Sequence, residues 1–117
     1  MIRKAAEQKI EVREKMRGGA GSAVIRHYLS KEEFKAPVRL CAHLVLAPGA
    51  GIGPHQHEKE EEIFIITKGS GLHHDGQKET RVSVGDVTLT GNGASHAIRN
   101  DGKEDLELEA IIVCYPA

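Results

Sequence analysis

Two histidines one residue apart, His55 and His57, stand in GAGIGPHQHEKEEEIFIITKG, residues 49–69, followed by a run of acids and an apolar run closed by a glycine. On an extended segment, residues two apart point to the same side, whereas on a helix they diverge. A His-x-His pair on a strand is therefore a clamp of two imidazoles aimed at one point. Neutral imidazole is the commonest metal-ligating side chain, and it suits first-row metals. A carboxylate that returns to the same point after a short turn offsets part of the metal's charge. Glu58, Glu60, Glu61 and Glu62 all compete for that place. Parity does not choose among them, because Ile63 and Ile65 are as apolar as Phe64 and Ile66. Taken alone, two histidines in a polar turn are also ordinary exposed side chains, and EKEEE is also an ordinary solvated patch.

A clamp of this kind needs strands to hold it, and strand signals dominate the chain. VIRHYLS (24–30) reads as a strand, and VRLCAHLVLAPG (38–49) as a long one ended by a Pro-Gly turn. EEIFIITKG (61–69) is rich in β-branched residues. GLHHDGQKETRVSV (71–84) carries Asp75-Gly76 at its centre, a hairpin signal. GDVTLTGNGASHAIRN (85–100) is expected to pair two short strands around Asn92-Gly93, and DLELEAIIVCY (105–115) alternates before turning continuously apolar. About eight to ten short strands at intervals of roughly 8–12 residues predict an all-β sandwich or barrel. Met1 to Lys9 reads as a short helix or an arm, RGGAGSA (17–23) as a flexible surface loop, and SKEEF (30–34) as a turn capped by Ser30.

Composition bounds the function. A chain of 117 residues is expected to be one domain, 1–117. Sixteen basic and 17 acidic residues give a net charge of −1, which steers the chain toward neither nucleic acid nor an anionic membrane. The aromatics are Tyr28, Phe34, Phe64 and Tyr115, with no Trp, too few for a base-stacking platform. MIRKAAEQKI lacks the apolar stretch of a signal peptide, and no segment approaches the ~20 apolar residues of a membrane-spanning helix. Cys41 and Cys114 lie inside apolar runs and read as reduced core residues of a cytoplasmic protein.

Residues 49–69 resemble the first motif of the cupin superfamily, commonly written G-x5-H-x-H-x3–4-E-x6-G. Gly49, His55, His57, Glu62 and Gly69 fit it without a gap. The second motif, G-x5-P-x-G-x2-H-x3-N, is matched over 85–100 by Gly85, Gly93, His96 and Asn100, with Gly91 where the family usually has proline. The resemblance implies a double-stranded β-helix, or jelly-roll barrel. It selects Glu62 as the carboxylate and leaves Glu61 pointing away, with Glu58, Lys59 and Glu60 as an exposed turn. His55, His57, Glu62 and His96 would then hold one divalent transition metal per chain, drawn from Mn, Fe, Ni, Co, Zn or Cu. Four protein ligands leave two neighbouring positions of an octahedron for water or a bidentate ligand, parallel in logic to the facial triad of non-haem iron enzymes.

The activity implied by the resemblance is that of a metalloenzyme acting on a small oxygen-rich metabolite, of dioxygenase, decarboxylase or sugar and sugar-phosphate isomerase type. The alternative is a non-catalytic, metal-dependent binding or sensing module. The expected partner is a small anionic or polyol-like molecule, and a homodimer is implied by family habit. No residue presents itself as general base, and no Ser-His-Asp or Cys-His order stands out. Among the other polar residues, His73 and His74 are expected at the surface beside a hairpin tip, and His27 and His43 as hydrogen-bonded strand histidines. Arg39, Cys41 and His43 share one strand face, which lines either the pocket or a surface, and Asn100 is expected to brace a turn.

Overall fold

The computed structural model describes residues 1–116. Ten strands form two antiparallel sheets. The larger has the order β1-β2-β3-β10-β5-β8, made of Lys9–Glu14, Ser22–Leu29, Val38–Leu46, Leu106–Cys114, Glu60–Lys68 and Val87–Gly91. The smaller has the order β4-β9-β6-β7, made of Gly51–Gln56, Ser95–Arg99, Ser70–His74 and Glu79–Ser83. The chain thus has the all-β jelly-roll architecture that the strand spacing and the motifs led us to expect. Between the sheets lies the core, with Leu44, Leu46, Phe64, Ile66, Ile98, Leu106 and Leu108 all nearly inaccessible.

Parity along β5 is settled by its two neighbours. Glu62 pairs with Ile112 and Thr90, and Phe64 with Ala110 and Thr88. Glu62, Phe64 and Ile66 are buried, so they face inward, while Glu61, Ile63 and Ile65 face out. In β10 the inward set is Leu106, Leu108, Ala110 and Ile112.

The structure departs from the sequence expectations at several points. KIEVRE forms β1, with Ile10 and Val12 outward and highly exposed. Its alternate residues Lys9, Glu11 and Arg13 lie opposite His27, Ile25 and Ala23, on the cavity side. RGGAGSA is not a loose loop but a strap over β4. Gly51 N donates to Ala20 O at 2.9 Å, and a Cβ on Gly53 would collide with Arg17 O. The strands flanking Asn92-Gly93 do not pair with each other. They enter different sheets, and the turn is a corner with φ of 55° and 84° at its two residues. Asp75-Gly76 does close a hairpin, β6–β7, with Asp75 Oδ1 accepting from Gln77 N and Lys78 N at 2.9 Å. Cys41 and Cys114 are free and half-buried rather than part of the core.

Gly91 has a packing reason. A Cβ there would lie 2.5 Å from Glu61 Cβ, 2.8 Å from Tyr115 Oη and 2.9 Å from Glu60 O. The strand that carries Glu60 to Glu62 passes too close for a side chain. Asn100 braces a turn as expected, its Nδ2 donating to Leu46 O and Glu104 O at 2.8 and 2.7 Å and its Oδ1 accepting from Gly102 N.

Candidate metal centre

Four segments bring His55, His57, Glu62 and His96 together. His55 lies on β4, His57 just beyond its end, Glu62 on β5 and His96 on β9. The β4–β9 register jumps from Ile52–Ile98 to His55–His96, a bulge that absorbs Gly53 and Pro54. Proline has no ladder hydrogen to offer, so the bulge is where it fits, and bulges re-aim the side chains beside them. Beyond β4, His57 N donates to Ala94 O and Gly93 N donates to His57 O, which fixes the second histidine against the β8–β9 corner.

The nitrogens converge. His96 Nε2 lies 3.0 Å from both His55 Nε2 and His57 Nε2. Glu62 Oε1 lies 3.0 Å from the Nε2 atoms of His57 and His96 and 3.8 Å from that of His55. One ligand atom from each of the four side chains falls within 4.8 Å of all the others. Neighbouring corners of an octahedron about 2.1 Å from its centre lie ~3.0 Å apart, against ~3.4 Å for a tetrahedron at the ~2.1 Å metal–nitrogen distance. The donor set and its close spacing therefore fit a first-row divalent ion, which these four side chains would hold. A buried cluster of lone pairs with no cation of its own is the arrangement such an ion neutralises.

Electrostatics point the same way. Burial acts to raise the Glu62 carboxyl, but hydrogen bonds from His55, His57 and His96 override it and hold the group below the ordinary carboxylate range. Hydrogen bonding to Glu62 raises His57, against the opposing effect of burial. Burial lowers His96. His73, expected at the surface, is buried instead. Desolvation, followed by the charge of His96, pushes it down to about 4, and it packs edge-on against Phe64 and His96 at ring separations of 6.2 and 5.5 Å. Phe64 stacks on His96 at 4.8 Å with an interplanar angle of 15°.

His55, His57 and Glu62 line a cavity of about 90 Å³. Ile25, Leu44, Ile52 and Phe64 form apolar walls, and Arg13, Arg17, His27 and Arg39 stand around the same space. Arg39 reaches it through a β3 bulge: Leu40 pairs with Ile112 and Val38 with Val113, so Arg39 is the extra residue. Cys41 and His43 do not follow it to the cavity. His43 binds Glu107 at 2.8 Å and Glu109 at 3.2 Å, and His27 binds Glu11 at 2.9 Å, as hydrogen-bonded strand histidines should. His74 is half-buried, and its Nδ1 accepts from Gly76 N at 3.0 Å.

Glu60 is the largest surprise. It was expected in an exposed turn, yet its side chain is only 14% accessible. It meets His57 Nδ1 at 2.6 Å and accepts two hydrogen bonds from Arg39, from Nε at 3.0 Å and Nη2 at 2.8 Å. The Arg39 bonds, with help from His57, hold its carboxyl below the usual range against burial. Arg13, Met16, Arg17 and Glu60 were all absent from the sequence-derived site. The alternation of KIEVRE was a usable signal for Arg13; Glu60 had stood only among the four glutamates competing for the carboxylate's place, and nothing marked it as the partner of His57 Nδ1.

The class follows from this barrel and its donor set. Residues 42–114 match the family model described as the cupin domain, and the chain belongs to the cupin family. Among particular relatives, it is 42% identical over 113 residues to the oxalate-binding protein of Thermotoga maritima, covering 97% of this chain and 93% of that protein. It is also similar to a crystal structure from Thermotoga maritima described as a predicted oxalate decarboxylase, with a TM-score of 0.92 and 41% identity, covering 97% of this chain and 99% of the other. The Cnp3 cupin domain of Schizosaccharomyces pombe shares the fold at a TM-score of 0.71 with 15% identity, covering 79% of this chain and 61% of that one. Among the described residues, no helix is long and apolar enough to cross a membrane.

Proposed function

We propose that this cupin binds a small chelating dicarboxylate of the oxalate type on one divalent transition metal held by His55, His57, Glu62 and His96. The convergence of four ligating atoms beside a cavity of about 90 Å³ carries the reading. A metal held there would supply a Lewis-acidic cation that polarises a chelating carboxylate. The protein supplies the rest. At ~10–15 Å³ for each confined water, the cavity takes a molecule of only a few heavy atoms. Arg13, Arg17 and Arg39 stand around it, Arg13 paired with Glu11 and Arg39 with Glu60, and the apolar walls exclude competing water. A wider groove of about 910 Å³ shares Arg13, His27 and Arg39 and adds Arg3, Lys9 and Lys31 beside Glu11 and Glu32, an approach in which basic residues outnumber acidic ones. The 42% identical oxalate-binding relative supports the same ligand class.

The enzymatic alternative is oxalate decarboxylation, favoured by the description of the similar Thermotoga maritima structure. Converting oxalate to formate and carbon dioxide requires a proton delivered to carbon. Among the described residues, Glu62 is the one carboxyl that lines the cavity, held ionised and turned to the centre, and His27 lines the same space. Binding is the reading carried forward, because the 42% identical relative over nearly the whole chain is an oxalate-binding protein. Calorimetric titration of oxalate into metal-loaded protein should give a one-to-one isotherm. The metal-free protein should give none, and formate should not accumulate. Equal binding with and without metal would remove the metal from the function, while formate production would establish the alternative.

The homodimer also belongs to this proposal. Ile10 and Val12 on β1, and Val87 and Leu89 on β8, are all at least 60% exposed on the outer face of the six-stranded sheet. Exposed apolar residues on edge strands invite pairing. Sedimentation should give about twice the 12.7 kDa chain mass, and a sharp monomer peak at all loading concentrations would refute the pairing.

A further inference from the structure

We propose that Glu60 is the positioning residue of His57, and that Arg39 positions Glu60 in turn. The inference rests on the metal reading above and concerns groups that do not touch the metal. His57 turns Nε2 toward Glu62 and His96 and turns Nδ1 toward Glu60 at 2.6 Å. A proton on Nδ1, donated to Glu60, leaves the Nε2 lone pair free and aimed at the centre. An ionised partner behind a ligating imidazole fixes its tautomer and raises its basicity. The three histidines differ here. His55 Nδ1 meets only a backbone carbonyl, Gly53 O at 2.8 Å, and His96 Nδ1 is buried with no hydrogen-bond partner among the described residues. Among these three, His57 alone has a carboxylate behind it.

Several unusual backbone features converge on this one carboxylate. The β3 bulge turns Arg39 toward it. Lys59 adopts a left-handed φ of 58°, costly for a residue with a side chain, and its carbonyl accepts from Tyr115 N at 2.8 Å. Gly91 leaves room for the strand to pass. Arg39 answers Glu60 with a fork of two hydrogen bonds, a geometry lysine does not reproduce. The guanidinium also offsets the charge of placing Glu60 near Glu62.

The test is zinc titration of chelator-stripped protein for wild type, Glu60→Ala, Glu60→Gln, Arg39→Ala and the double alanine variant. Each is paired with an unfolding curve of the metal-free protein. Glu60→Ala should weaken zinc binding by about 10–100-fold. Glu60→Gln should recover much of the loss, because its amide oxygen still accepts from Nδ1. Arg39→Ala should give a smaller loss that vanishes in the Glu60→Ala background, since groups acting in series are not additive. In the zinc-loaded wild type, the His57 Nδ1 proton should show the downfield NMR shift of a strong hydrogen bond to a carboxylate, and Glu60→Ala should abolish that shift. Unchanged zinc affinity and an unchanged His57 Nδ1–H shift in Glu60→Ala overturn the inference alone, as does a zinc loss matched by an equal loss of fold stability. A wild-type protein that takes up no zinc overturns the metal reading and this inference with it.

Discussion

His57→Ala is expected to leave the purified protein almost without metal. Wild type should carry about one transition metal per chain, and the variant less than about a tenth of that by elemental analysis. The loss should exceed the ~10–100-fold cost typical of removing a group behind a ligand, because here one of the four proposed ligands itself goes. His57 touches both Glu62 and His96 and is 98% shielded, so no neighbour or bulk solvent can take its place without rearrangement. The fold should survive, since the core is formed by other residues. Acid should reproduce the effect reversibly. Ligand histidines must be neutral, so metal should be released as pH falls through about 6. The sign follows from the shifts: Glu62 is depressed and stays ionised, whereas His57 is raised and takes up a proton early in the descent. Equal metal content in mutant and wild type, or full retention at pH 4, would assign the ion to other groups.

Much of this centre was legible because its chemistry sits on short, regular spacings. His-x-His on an extended segment aims two imidazoles to one side by parity, and the resemblance to the glycine-bounded motifs singles out Glu62 and His96 as their companions, the four side chains that the fold brings together. The parts that stayed illegible depend on breaks in regularity. A bulge in β3 sends Arg39 to the cavity while Cys41 and His43 go outward. Simple alternation had placed the three together. Glu60 looked like one acid in a solvated run, and only the left-handed turn at Lys59 brings it back under His57. In β1 the alternation was present but inverted. Charged residues face the cavity mouth and valine and isoleucine face out. GIGPHQ carries two glycines and a proline and so lacks strand propensity, yet it forms β4 because the 17–20 strap needs that close approach. His73 and His74 had to face opposite ways, but which one is inward is decided by β9, whose Ile98 pairs with His73.

Phe64→Ala should have the largest effect on stability, and it should also reach the metal. Phe64 is 1% exposed and is the largest of the fully buried side chains. Truncating such a side chain costs about 3–5 kcal/mol through lost transfer energy and the cavity left behind. Against a total of roughly 5–15 kcal/mol, that is a large part of the stability. At ~3–5 °C per kcal/mol, interpolated for a chain of this length, the metal-free variant should melt roughly 10–25 °C below the metal-free wild type. The ring also lies flat on His96, and β5 carries both Phe64 and Glu62. Alanine therefore removes the wall that fixes the plane of one proposed ligand, His96, on the strand that supplies another, Glu62. Phe64→Leu separates the two roles. Leucine keeps much of the volume, so the melting loss should be only a few degrees, but it offers no flat face to the imidazole. Zinc affinity should then fall in both variants while stability falls mainly in one. If zinc affinity in Phe64→Leu equals that of wild type, the stacked ring serves the core alone and the barrel strands by themselves hold His96 in place.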